Sequence, residues 1–307
     1  ESASVAVPWI PRLAKDASNR LAHSSTAIEG NPLTLKEVEL LAKGQDLPQA
    51  KPRFKTEIMN YLAALRHVSD RSKKPITEKD ILQLHKIIGA GYALEREPAG
   101  EYRDYQVVVG SHKPPKAEDV PRFMAELLDW VNDGGKTMPA VMASAAVHYQ
   151  FEHIHPFGDG NGRVGRLIAT WVLYQRQFDT HHIFSVDEVF WENRQEYYKA
   201  LENVQKSGGE LTAWMQYVAD AVFVTLERVW KRVQAVGAEE KSGGKLMLTE
   251  KQERLLTLLN SSPMGIADIM RVLKVTKPGA HFIIKPLLQY NIIVKKGGHK
   301  TGKYTIA

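Results

Sequence analysis

The sequence predicts an all-α protein: a large helical domain carrying one short β-hairpin, then a polar linker, then a small C-terminal domain of three helices and a hairpin. Three observations carry this reading. Apolar residues recur at intervals of three and four along most of the 307 residues. Threonines followed by an acid three positions later mark two helix starts, at Thr34 with Glu37 and at Thr77 with Asp80. Strand-type runs are few: one short run in the large domain and a pair near the C-terminus.

Taken in order, Leu13, Ala17 and Leu21 define a first helix, and residues 35–43 follow the Thr34 cap. Further helices are expected over 54–68, 78–88, 121–132, 141–152, 163–176, 193–206 and 212–236. The run Gln106-Val107-Val108-Val109, closed by Gly110, reads as a strand of a hairpin. GAEEKSGG at 237–244 has linker composition. Beyond it come helices over 249–260, 265–273 and 277–289, then strands at 292–294 and 304–306. The organisation is therefore an N-terminal region 1–50, a core 51–236, a linker 237–244 and a C-terminal domain 245–307.

Composition narrows the function classes. With no cysteine, disulfides, thiolate metal sites and a cysteine nucleophile are excluded. No apolar run approaches the ~20 residues of a membrane-spanning helix, and residues 1–7 lack the basic start and apolar stretch of a signal peptide. The expectation is a cytoplasmic protein with no membrane partner. The chain does not begin with Met, so a processed start stays open. Residues 245–307 hold eleven Lys/Arg against three acids, a net +8 that leaves −2 for residues 1–244 out of the total +6. That segment suits DNA or an acidic protein partner.

The densest chemical signal is His155-Pro-Phe-Gly-Asp-Gly-Asn-Gly-Arg-Val-Gly-Arg166. Gly158, Gly160 and Gly162 let the backbone bend and approach a ligand closely. Val164, Leu167, Ile168 and Trp171 then show helical spacing, so a glycine-rich loop feeds a helix N-terminus, which favours an anion. Arg163 and Arg166 fall on one face of that helix and suit a polyphosphate. Asp159 offers the hard oxygen Mg²⁺ prefers beside phosphates, and His155 can take a proton near neutral pH. A base, a metal ligand, an anion cradle and a cationic clamp together make a phosphoryl- or nucleotidyl-transfer kit. A metal-dependent hydrolase built on His148, His153, His155 and Asp159 is the alternative reading of the same stretch.

This stretch resembles the Fic family motif HPFx[D/E]GNGRxxR, with every defined position matched, and the resemblance extends over roughly residues 10–235. It implies a mostly helical fold and transfer of AMP from Mg-ATP to a Ser, Thr or Tyr hydroxyl of a target protein, self-modification included. By position it implies His155 as the base and Asp159 as the Mg²⁺ ligand. It also implies Gly160, Asn161 and Gly162 as the phosphate cradle, Arg163 and Arg166 as β/γ-phosphate ligands, and Phe157 as the loop's core anchor. Doc-like kinases of the superfamily carry a lysine in the second half of the loop; Gly162 stands there, which implies AMP rather than phosphate transfer.

Near the N-terminus, Gly30-Asn31-Pro32 should end the first helix, leaving Glu29 against the negative end of its dipole with Ser25 one turn earlier. A carboxylate so placed calls for a cation. The pattern Ser25, Glu29, Gly30 resembles the inhibitory motif [S/T]xxxE[G/N] of Fic proteins, which implies that Glu29 pairs with Arg166 in the γ-phosphate's place. The resemblance further implies a flap, with Val107, Val108 and Val109 pairing to the target backbone. It also implies an adenine-side helix with Tyr197, Tyr198, Leu201 and Gln205. Residues 245–307 resemble a winged helix, with Lys277, His281 and Lys285 as a cationic stripe on the third helix, Pro286 interrupting that helix, and Lys295, Lys296, Lys300 and Lys303 on the hairpin. No Arg or Asn on the stripe is placed to read a base edge. The expected activity is protein adenylylation restrained by Glu29. The alternatives are AMP removal by the same site, or a winged-helix DNA-binding regulator whose helical domain senses nucleotide. A homodimer stays open.

Overall fold

The computed structural model describes residues 9–91, 98–110, 112–240, 248–289, 292–298 and 302–307. The chain divides into two compact units: Ala17–Glu227, and a second made of the chain up to Asp16 with Arg228–Ala307.

Helices α1 (Ile10–Ile28), α2 (Leu35–Ala42), α3 (Pro52–Asp70) and α4 (Glu78–Ile88) open the chain. Thr34 and Thr77 both close capping boxes, with Glu37 and Asp80 returning to the cap N–H. After α5 (Val120–Asp129) the helix widens into a π turn at Trp130–Gly134. Then follow α6 (Ala140–Ile154), α7 (Asn161–Gln175), α8 (Val186–Glu192), α9 (Arg194–Lys206) and α10 (Thr212–Glu240). The short α8 carries too few residues to show a helical period and is absent from the sequence expectation.

Within Ala17–Glu227, α6 and α7 are the central pair. Every residue of α7 from Val164 to Tyr174 is buried. One core joins Ile58, Leu65, Ile81, Phe151, Phe157, Leu167 and Trp171 with Leu21, Leu33 and Val38 from before residue 50. The boundary expected at 50/51 therefore falls inside a shared core. A second cluster joins Ile28 and Tyr149 to Tyr197, Trp214 and Val218.

In the other unit, α11 (Glu250–Ser261), α12 (Ile266–Leu273) and α13 (Lys277–Gln289) pack on a three-stranded antiparallel sheet of β1 (Met264–Gly265), β2 (Ile293–Lys296) and β3 (Lys303–Ile306), ordered β1-β3-β2. Strand β1 is too short to be read from sequence. Lys15 donates to the Ile306 carbonyl at 3.0 Å. Lys277, His281 and Lys285 are exposed on α13, beside Phe282 at 79% exposure. Pro286 lies within α13 and does not interrupt it. Proline forfeits one helical hydrogen bond, and burial of Ile283, Ile284 and Leu287 holds that helix to the core.

Two other expectations change. Helix α10 continues to Glu240, so residues 237–240 of the expected linker are helical, and 241–244 lie outside the described residues. Val107, Val108 and Val109 do not form a strand: only Val109 makes a bridge, to His112. Side chains take the carbonyls a strand partner would need. Gln106 donates to the Val107 and Pro114 carbonyls, and Arg103 donates to those of Tyr105 and Pro115.

Candidate active site

The site begins where α6 ends. His155 caps that helix in the left-handed conformation, φ 49° and ψ 62°. Such a backbone is costly for a residue with a Cβ and persists only where its surroundings hold it. Here they do. Arg103 is buried and donates Nε to the His155 carbonyl at 2.9 Å, while its backbone N–H reaches the Pro156 carbonyl at 2.9 Å. A cation there also suits the negative end of α6.

The loop after His155 is pinned from inside. Phe157 is fully buried and stacks on His85 at 3.7 Å between centroids. His85 accepts from Gly100 N–H at Nδ1 (2.9 Å), which leaves Nε2 to donate to the Asp159 carbonyl (3.1 Å). Burial pushes its pKa down to about 4, so the ring works as a neutral staple. The Asn161 amide grips Phe157 at both ends, accepting from its N–H (2.9 Å) and donating to its carbonyl (2.7 Å). Its side chain is thus a loop clasp; what remains to Asn161 for a phosphate cradle is its backbone N–H. Gly160 takes φ 83°, which lets the chain turn into α7.

Arg166 lies one turn into α7 and is 1% exposed. Its Nη2 donates to Glu29 Oε1 at 2.6 Å and to the Ser25 carbonyl at 2.9 Å, and its Nε donates to Ser25 Oγ at 2.7 Å. Asp187 of α8 stands 3.9 Å from Nε and accepts from Tyr61 at 3.2 Å. Burial pushes Glu29 up, but Arg166, with Arg163 and Arg194 nearby, holds it below the usual carboxylate range. Glu29 follows the last residue of α1, and Gly30 turns the chain away at φ 95°. A Cβ on Gly162 would collide with the Glu29 carboxylate, so the glycine is what lets that anion settle against the start of α7.

Arg163 is 5% exposed; Nη2 reaches Asp159 Oδ1 at 3.3 Å, and Nε is buried without a hydrogen-bond partner. Asp159 keeps a half-exposed carboxylate. A single carboxylate beside substrate phosphates fits the way Mg²⁺ is held. His148 is buried and bonded to Tyr197 Oη at 2.9 Å, and burial takes its pKa down to about 3. Among the described residues no group of three His, Cys, Asp or Glu can hold a metal, so the His148–His153–His155–Asp159 centre does not form. Burial, with Arg103 and His112 nearby, lowers His155 to about 4 and leaves it neutral and able to accept a proton.

A cleft of about 680 Å³ adjoins the end of α6, lined by Val109, His112, Glu152, Tyr198, Leu201 and Gln205 among others. The structure thus brings Tyr198 and Leu201 together with the end of the flap. Val107 and Val108 do not line it, and Tyr197 faces the core instead, 1% exposed. Sequence reasoning missed Arg103, His85 and Asp187, which no spacing ties to the 155–166 loop, and gave Glu152 no role although it stands three residues before His155.

Residues 75–173 match the Fic/DOC family. The chain is 29% identical over 222 residues to the Nematostella vectensis protein adenylyltransferase Fic, covering 70% of this chain and 49% of that protein. It is 30% identical over 236 residues to the Caenorhabditis briggsae protein adenylyltransferase fic-1, covering 75% and 43%. It thus spans less than half the length of these curated relatives. A solved Fic family protein from Desulfovibrio desulfuricans superposes over 97% of this chain and 88% of its own, with a TM-score of 0.64 and 26% identity.

Proposed function

We propose that this chain, whose residues 75–173 belong to the Fic/DOC family, is a protein adenylyltransferase that moves AMP from ATP to a side-chain hydroxyl and is restrained by Glu29. One observation carries the reading: an anion, the Glu29 carboxylate, already sits against Arg166 and the first turn of α7. A buried guanidinium that holds a carboxylate beside the start of a helix suits a phosphate equally well.

The hydroxyl oxygen attacks the α-phosphorus and forms the new O–P bond. Its proton goes to His155, and the bond from that phosphorus to pyrophosphate breaks, so pyrophosphate leaves. Arg163 and Arg166 bind the departing phosphates, with the orphan Arg163 Nε free to donate. Asp159 would hold Mg²⁺, which supplies charge neutralisation at the phosphates. Tyr198 and Leu201 offer the adenine a cleft wall. With Glu29 on Arg166, the γ-phosphate has no partner there and the α-phosphorus sits out of line. An error of about 1 Å can cost ~10²-fold in rate. In the C-terminal unit the exposed stripe of Lys277, His281 and Lys285 suits docking to DNA or an acidic protein.

Intact-mass measurement after incubation with labelled ATP and Mg²⁺ tests the reading. Glu29→Gly should raise AMP incorporation at least about tenfold over the parent, with Glu29→Gln activating less because it keeps the bulk. Arg166→Ala should not activate, since the γ-phosphate loses its own ligand. No gain from Glu29→Gly removes the brake, and no AMP on any substrate by any variant removes the activity.

A further inference from the structure

Three buried polar atoms at the end of α6 have no hydrogen-bond partner within 3.5 Å among the described residues: His153 Nδ1, and the pair Glu152 Oε1 and His155 Nδ1. The pair belongs to residues three apart, and the other carboxylate oxygen of Glu152, Oε2, stands 3.9 Å from His155 Nδ1. The left-handed cap at His155 folds the chain back, which brings the ring against the turn that carries Glu152. The space for the carboxyl group is built into the neighbouring helix: a Cβ on Gly165 would come within 2.6 Å of Glu152 Oε1. Glycine inside a helix is unfavourable on its own account, so its presence in α7 accords with a space kept for that group.

We propose that Glu152 is the positioning partner of His155, holding the Nδ1–H side of the imidazole so that Nε2 is the nitrogen that takes the substrate's proton. The geometry stands alone; its catalytic consequence rests on the AMP-transfer reading. During transfer the hydroxyl proton moves to Nε2, the Nδ1 proton stays on the ring, and the Glu152 carboxylate accepts a hydrogen bond from it while stabilising the imidazolium. Glu152 neither gains nor loses a proton in that step.

The groups around the pair set when this works. Arg166 from α7, Glu29 after α1 and Tyr197 from α9 act on Glu152, while the Glu152 backbone carbonyl, then Arg103, His112 and Glu29, act on His155. Burial dominates and pushes Glu152 up to about 7; Arg166 opposes this and Glu29 adds to it. Below that pH the carboxyl is neutral and offers the imidazolium no charge. Above it the carboxylate raises the basicity of His155. The acidic limb of the transfer rate therefore belongs to Glu152.

The test follows the imidazole ¹⁵N shifts of His155 in the full chain from pH 5 to 9, assigned with His155→Ala. The parent should inflect near pH 7, reporting Glu152, and Glu152→Gln should lose that inflection. AMP transfer by the Glu29→Gly protein should rise about tenfold from pH 6 to 8 as the carboxyl ionises. Adding Glu152→Gln should flatten that rise. Identical ¹⁵N curves in parent and Glu152→Gln overturn the proposal, and they decide it even if no protein transfers AMP. If Glu152→Gln does not fold, the ¹³C titration of the Glu152 carboxyl in parent and His155→Ala replaces it. A midpoint that moves when the imidazole is removed supports the pair; an unmoved one overturns it.

Discussion

Two segments flank the end of α6, and they are built on opposite principles. The loop from His155 to Gly160 is held by Arg103, by the His85 staple, by the Asn161 clasp and by the buried Phe157 ring. Among the described residues the segment from Tyr105 to His112 has one bridge, and it leaves Val108 64% and Val109 40% exposed. Groups that perform chemistry must be in place before the substrate arrives, because a small misplacement is expensive. A surface that aligns a partner's backbone can stay incomplete, because the partner supplies the missing strand. The loop from His155 is clasped from several sides, whereas the 105–112 segment exposes Val108 and Val109 and has its Tyr105 and Val107 carbonyls taken by the Arg103 and Gln106 side chains.

The comparison breaks most severely at His155. Its replacement by Ala should lower transfer by ~10²–10⁴-fold, the usual contribution of a positioned base. ATP affinity by calorimetry should stay close to the parent's, since the anion site lies in residues 159–166. Comparable loss of both would show that His155 shapes the site instead of acting in it.

Next in size is the staple. His85→Ala removes the bonds to Asp159 and Gly100 and the face against Phe157, without touching a reacting group. The expected outcome is a loss of ~10²-fold in kcat with a lower melting temperature. A stable variant with full kcat would mean that the loop holds its shape unaided. The same histidine has a pH signature. Its pKa is lower in the fold than in the unfolded chain, so the unfolded state binds more protons between about pH 6.5 and 4. Stability should therefore fall as pH drops through that window, and His85→Gln should flatten part of the fall in a denaturation series.

The smallest effect is expected in the flap. Val109→Pro removes the N–H that reaches the His112 carbonyl at 3.0 Å. KM for a protein target should rise roughly threefold, with kcat and KM for ATP unchanged. A loss in kcat as large as that of His85→Ala would erase the distinction between the two segments.

How much of this was legible depended on the range of the interaction. Thr34 and Thr77 announced their helices because a capping box is complete within four residues. The loop 155–166 announced a glycine-rich turn into a charged helix start because those residues are contiguous there. The valines at 107–109 misled, because β-type composition describes a residue's preference and not the presence of a partner strand. Pro286 misled as well, since packing of α13 outweighs one lost hydrogen bond.

The sequence by itself determined the helical architecture, the chemistry available at 155–166, and the need of Glu29 for a cation. These follow from local periodicity, local composition and a local dipole. The resemblance to Fic proteins implied Arg166, 137 residues away, as that cation; only the tertiary structure decided the contact geometry and that Asp187 and Tyr61 close in around it. It likewise decided that Arg103 and His85 hold the loop, and that Gly162 and Gly165 make room for Glu29 and Glu152. A buried charge must find its partner in three dimensions, because desolvation penalises it until it does. Sequence spacing carries no record of which distant residue that partner is.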